Sequence, residues 1–135
     1  LGTERWGGVM DSKIRVMYVE DNEMLLDLFK GYFEESGIEV VSFSSAVHAL
    51  DYFKKSFSTL NAVVVDLKMP ELDGFTFFEY AKAVTQHIPY YLLSGHIDET
   101  LSRRALSLGF RKVYSKPVRF ELLVNEIKKD TGATK

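Results

Sequence analysis

The chain has 135 residues, 46% of them hydrophobic, with 17 basic and 19 acidic side chains giving a net charge of −2. That length suits one domain, and the near-neutral balance gives no electrostatic pull toward nucleic acid or an anionic membrane surface. The absence of cysteine removes disulfides, thiolate metal sites and cysteine nucleophiles, and no apolar run approaches the ~18 residues that a membrane span needs.

Residues 1–12 contain Gly2, Gly7, Gly8 and Trp6 and no apolar signal-peptide core. They read as a mobile leader or a foreign remnant, with Met10 as a candidate natural start. From Lys13 onward, short β-type runs alternate with helical ones. Ile14–Val19 is the first strand and stops abruptly at Glu20-Asp21-Asn22. Leu25, Leu28, Phe29, Tyr32 and Phe33 then recur at helical spacing and predict one apolar stripe, closed by Gly37. Glu39–Phe43 is the second strand. Ser44-Ser45 offers a cap to a helix buried through Ala46, Ala49, Leu50 and Phe53.

Ala62–Val65 is a continuous apolar run, as expected of a central parallel strand covered on both faces, and it ends at Asp66. A loop with Pro70 and Gly74 leads into a third helix carrying Phe75, Phe77, Phe78, Ala81 and Val84. Tyr90–Leu93 is the fourth strand and ends at Ser94. Leu101, Ala105 and Leu108 mark a fourth helix before Gly109. Lys112–Ser115 is the fifth strand, followed by Lys116-Pro117, and Phe120, Leu123, Val124 and Ile127 mark the last helix. The domain is expected over residues 13–129, with 130–135 a polar, fraying tail. Five strand–helix units predict an α/β, doubly wound five-stranded parallel sheet with helices on both faces.

In such a sheet, ligands bind beyond the carboxyl ends of the strands. Glu20, Asp21, Asp66, Ser94 and Lys116 all fall at strand ends and should converge there. Three crowded carboxylates raise one another's pKa, a conflict that a hard cation such as Mg²⁺ removes while also accepting phosphate oxygens. A carboxylate nucleophile, a metal, a lysine and a hydroxyl together form a phosphoryl-transfer site. Each residue alone has a blander reading: Asp66 as a solvated strand end, Glu20 and Asp21 as partners of the helix dipole, Lys116 and Ser94 as surface groups. His48, His87 and His96 show no metal-ligand spacing.

The segments VEDN (19–22), VVVDLKMPELDG (63–74), LLSG (92–95) and YSKP (114–117) resemble the receiver domain of two-component response regulators. The resemblance covers residues 13–129. It implies the flavodoxin-like strand order 2-1-3-4-5, with Asp66 accepting a phosphoryl group from a sensor histidine kinase or a histidine phosphotransfer protein. It implies Mg²⁺ held by Glu20, Asp21, Asp66 and the Lys68 backbone carbonyl. Ser94 and Lys116 would bind the phosphoryl group, and the Lys116–Pro117 peptide is commonly cis in the family. Lys68 and His96 would flank the attacking water and tune the phosphoryl lifetime, with a solvated surface role as the alternative. A cytoplasmic switch is implied, not an enzyme acting on other substrates, with no direct nucleic-acid or membrane partner. The face made by the fourth helix, fifth strand and fifth helix would serve partners or a homodimer.

Three departures stand out. Glu20 replaces the commoner Asp, Ser94 the commoner Thr, and Val113 the switch aromatic, with Tyr114 one residue later and so expected on the opposite face. The alternatives are a pseudo-receiver interaction module, an aspartyl-phosphate hydrolase and a flavodoxin-like carrier. Lys68 stands where the hydrolase needs its second Asp, and the acidic Glu20–Glu23 stretch stands where the carrier needs a phosphate loop.

Overall fold

The computed structural model describes residues 13–132. The expected leader, with Trp6 and Met10, and the last three residues of the expected tail lie outside the described residues. Five strand–helix pairs follow in order: β1 Arg15–Val19 and α1 Glu23–Glu35, β2 Glu39–Phe43 and α2 Ala46–Ser56, β3 Ala62–Asp66 and α3 Gly74–Val84, β4 Tyr90–Ser94 and α4 Glu99–Leu108, β5 Lys112–Ser115 and α5 Phe120–Asp130. A 3₁₀ turn, Phe57–Thr59, extends α2. All pairings are parallel, and the sheet order is β2-β1-β3-β4-β5. This is the 2-1-3-4-5 arrangement expected from the sequence.

Because successive strand residues face opposite ways, each strand feeds two cores. Met17, Val19, Val63, Val65 and Leu92 pack with Ala49, Phe53, Phe77, Phe78 and Ala105 from α2, α3 and α4. Val16, Tyr18, Val64, Tyr91 and Leu93 pack with Phe29, Phe33, Leu123 and Ile127 from α1 and α5. The central strand β3 is buried along its whole length, which is why it reads as an unbroken valine run. Helix starts follow their side chains: Asn22, Ser45, Asp73 and Asp98 each accept a backbone N–H of the first turn.

Two expectations need correction. In α1 the buried residues are Leu26, Phe29 and Phe33, whereas Leu28 is 55% exposed and Tyr32 37%. The apolar run is wider than the face that the sheet can cover, so its edge stays in solvent. Asp130, read as the start of a fraying tail, ends α5 instead. Its carboxylate accepts the Tyr91 hydroxyl at 2.6 Å and pairs with Arg111 at 3.3 Å, its side chain only 5% exposed. The last helical turn is therefore pinned to the start of β4 and β5 by a polar contact that hydrophobic periodicity does not register.

Candidate functional site

Glu20, Asp66 and Ser94 lie at the carboxyl ends of β1, β3 and β4 and are all buried. Asp21 is exposed beside them. Together with Asn22, Leu25, Lys68, Gly95 and Lys116 they line one cleft of about 330 Å³. The five strand-end residues picked out from the sequence are thus brought together, with Lys68 at the rim.

Lys116 is the electrostatic centre. Its Nζ lies 2.9 Å from Asp66 Oδ2 and 3.0 Å from Glu20 Oε1, donating also toward Glu20 Oε2 at 3.3 Å. Burial opposes its charge, but hydrogen bonds to Asp66 and Glu20 outweigh that and hold its pKa above the usual lysine range. Asp66 moves the other way from an ordinary carboxylate. Burial is the largest cause and pushes it up to about 6, aided by the Glu20 charge and resisted by Lys116. A buried carboxylate with raised basicity is open to either a proton or a cation.

Glu20, Asp21 and Asp66 can each bring a carboxylate oxygen within 4.8 Å of the others. An all-oxygen anionic set of that size fits a hard divalent cation such as Mg²⁺. The Lys116–Pro117 peptide is cis, as the resemblance implies.

The Ser94 hydroxyl donates to the His96 carbonyl at 2.8 Å and accepts the His96 N–H at 3.3 Å, so it holds the loop after β4. The His96 side chain is not in the cleft. It is 86% exposed, 3.9 Å from Asp98, and lines a neighbouring groove with Leu67, Lys68, Thr100 and Arg104. Val113 packs on the α2–α3–α4 side and Tyr114 on the α1–α5 side, the opposite faces that the one-residue offset predicts.

Sequence reasoning missed two residues of the site. Tyr18 donates its hydroxyl to Glu20 Oε1 at 3.0 Å, and the signal was its i, i+2 relation to Glu20 on one strand. In sequence Gly74 reads only as a loop residue. A Cβ there would stand 2.7 Å from the Asp66 carbonyl oxygen and 3.0 Å from the Leu67 Cα, so α3 can begin this close to Asp66 only without a side chain. Gly74→Ala is expected to cost about 1–3 kcal/mol, as overpacking does, and to shift the Asp66 backbone. Chemical denaturation and the amide shifts of residues 66–68 check this.

A receiver-like α/β domain with an acid, lysine and hydroxyl cleft is the class that this fold and site define. The chain matches the family model described as "Response regulator receiver domain" over residues 16–128, and it belongs to that family. It is 33% identical over 114 residues to the sensor protein TorS of Escherichia coli, spanning 82% of this chain and 12% of TorS. It is 28% identical over 120 residues to the response regulator protein TodT of Pseudomonas putida, spanning 88% of this chain and 52% of TodT. This chain therefore spans about half or less of the length of these relatives. A solved response regulator receiver domain protein from Clostridium thermocellum superposes with a TM-score of 0.83 at 27% identity, over 89% of this chain and 95% of that one.

Proposed function

We propose that this domain is a phosphorelay receiver that accepts a phosphoryl group on Asp66, with Mg²⁺, and changes conformation to signal. The observation that carries this reading is the Asp66 carboxylate itself. It is buried at the end of the central strand, bonded to Lys116 at 2.9 Å, and shares an oxygen cluster with Glu20 and Asp21. The donor is a histidine kinase or a histidine phosphotransfer protein, as in two-component signalling, and the setting is cytoplasmic. Among the described residues no helix is long and apolar enough to cross a membrane.

An Asp66 oxygen attacks phosphorus, and the bond from phosphorus to the donor's nitrogen breaks as the imidazole leaves. Glu20, Asp21 and Asp66, with the Lys68 carbonyl, would hold Mg²⁺, which would supply positive charge to the transferring phosphoryl group. Lys116 follows the charge from the Asp66 carboxylate to the new phosphoryl group. Ser94 donates to another phosphoryl oxygen, which requires it to leave the His96 carbonyl and so moves the loop into α4. Lys68, at the cleft rim, and His96, in the adjacent groove, tune the access of hydrolytic water. The domain turns over no substrate but its own acyl phosphate, and the face built from α4, β5 and α5 is where partners or a second copy read the change.

Acetyl phosphate with Mg²⁺ is expected to add the mass of one phosphoryl group to the wild-type chain and none to Asp66→Ala. Should the wild type accept no phosphoryl group from acetyl phosphate or from a histidine kinase, the domain is an interaction module and the phosphorelay reading fails.

A further inference from the structure

The Glu20 carboxylate is 1% exposed, and the chain's own donors surround it. Oε1 accepts the Tyr18 hydroxyl at 3.0 Å and Lys116 Nζ at 3.0 Å. Oε2 accepts the Asn22 N–H and Lys116 Nζ, each at 3.3 Å. An ionised carboxylate offers about four lone-pair sites, and four donor contacts fill them. Asp66 differs, since Lys116 reaches it through one oxygen, Oδ2. The donor on Glu20 Oε1 that does not belong to the lysine is rigidly placed. The Tyr18 ring is buried in the α1–α5 core and stacked on Phe29 at 3.6 Å between centroids, so its hydroxyl has little freedom to retreat.

We infer that Tyr18 is a positioning residue which holds Glu20 back on its own hydroxyl and competes with Mg²⁺ for that carboxylate. In consequence Glu20 would contribute less to holding the cation than its place in the cluster allows, which sets the metal affinity lower than the three carboxylates alone would give. The inference rests on the metal-dependent reading of this cleft. Removing the hydroxyl while keeping the ring frees one lone-pair site on a buried anion. A hydrogen bond to a charged acceptor is strong enough to alter a binding constant by about tenfold.

The test is calorimetric titration of Mg²⁺ into the wild type, Tyr18→Phe, Glu20→Gln and the double variant, at a pH well above the Asp66 range. Tyr18→Phe is expected to bind Mg²⁺ about tenfold more tightly than wild type, and to have no effect in the Glu20→Gln background, because the hydroxyl acts only through that carboxylate. Equal or weaker binding by Tyr18→Phe overturns the inference, as does the same tightening in both backgrounds. Binding by wild type and variant with equal affinity leaves the metal site standing and removes only the role of Tyr18, whereas no binding by either removes both. The Tyr18 Cζ resonance of the unsubstituted chain gives an independent reading that does not depend on a variant folding. It is expected to move on Mg²⁺ saturation as the cation withdraws charge from the carboxylate that the hydroxyl is bonded to, and a stationary resonance with shifts at Asp21 and Asp66 overturns the inference.

Discussion

Lys116→Met is expected to cost the metal-free domain about 3 kcal/mol of stability, the scale for removing one partner of a buried charge cluster. Methionine keeps much of the aliphatic stem, so the loss is electrostatic. Lys116 is the cation shared by Glu20 and Asp66, whose side chains are 1% and 7% exposed. Without it two anions remain buried side by side, each unable to recover its hydration. Denaturant unfolding in chelator is the measurement. Saturating Mg²⁺ is expected to restore a larger share of stability in the variant than it adds to wild type, since the divalent ion then replaces the charge that Lys116 supplied to the carboxylates. Mild acid is expected to help in the same way, by neutralising Asp66. An unfolding midpoint equal to wild type in chelator would mean that the carboxylates are effectively solvated. The wild-type contribution has a defined pH window. The Lys116 pKa is raised in the fold, so its stabilisation is fully present below the ordinary lysine range and is lost only in strong alkali.

How much of this cluster was legible beforehand follows from what kind of signal each residue leaves. Asp66 is marked by the valine run before it, because a strand covered on both faces must be apolar and the first polar residue then marks its exit into the cleft. Glu20 and Ser94 are marked similarly, Lys116 by its place between a strand and Pro117, and the parallel topology forces all four to one edge. The α2 face was also read correctly, since Ala46, Ala49, Leu50 and Phe53 are all buried. What periodicity cannot convey is which apolar residues a neighbour covers, as with Leu28, or which polar group finds a distant partner. Asp130 looked like tail composition because its partners, Tyr91 and Arg111, lie 39 and 19 residues away. Tyr18 reads as one more β-forming residue of the first strand, and it is a core aromatic; only the side-chain geometry reveals that its hydroxyl faces an anion. The requirement at Gly74 is likewise one of space, set by the Asp66 carbonyl and the Leu92 side chain, and space between segments leaves no trace in a single sequence.

The second large effect is a reversal of the usual pH behaviour of a buried aspartate. An ion-paired carboxylate normally has a depressed pKa and stabilises a fold above it. Asp66 is raised from 3.8 to about 6, burial outweighing the pull of Lys116. The folded state therefore binds this proton more tightly than the unfolded chain. The contribution of Asp66 falls as pH climbs from about 4 to about 6 and is fully unfavourable at 7, a swing of at most about 3 kcal/mol for a shift of this size. Asp66→Asn removes the titration while keeping the volume and an oxygen for Lys116. It is expected to raise the metal-free Tm at pH 7 by ~5 °C and to leave little difference from wild type near pH 4. Mg²⁺ in the proposed site would bind the ionised form, so its stabilisation of wild type is expected to be large at pH 7, to fade through the Asp66 range and to be small near pH 4. The variant should show only the weak response that Glu20 and Asp21 support. Thermal unfolding in chelator and in Mg²⁺ across this range checks each point, and a metal-free wild type that gained stability from pH 4 to 7 relative to Asp66→Asn would place the Asp66 pKa below its unfolded value. The same imbalance links stability to the proposed chemistry: the charge that makes the metal-free domain less stable at neutral pH is the one that the proposed cation and phosphoryl group would relieve.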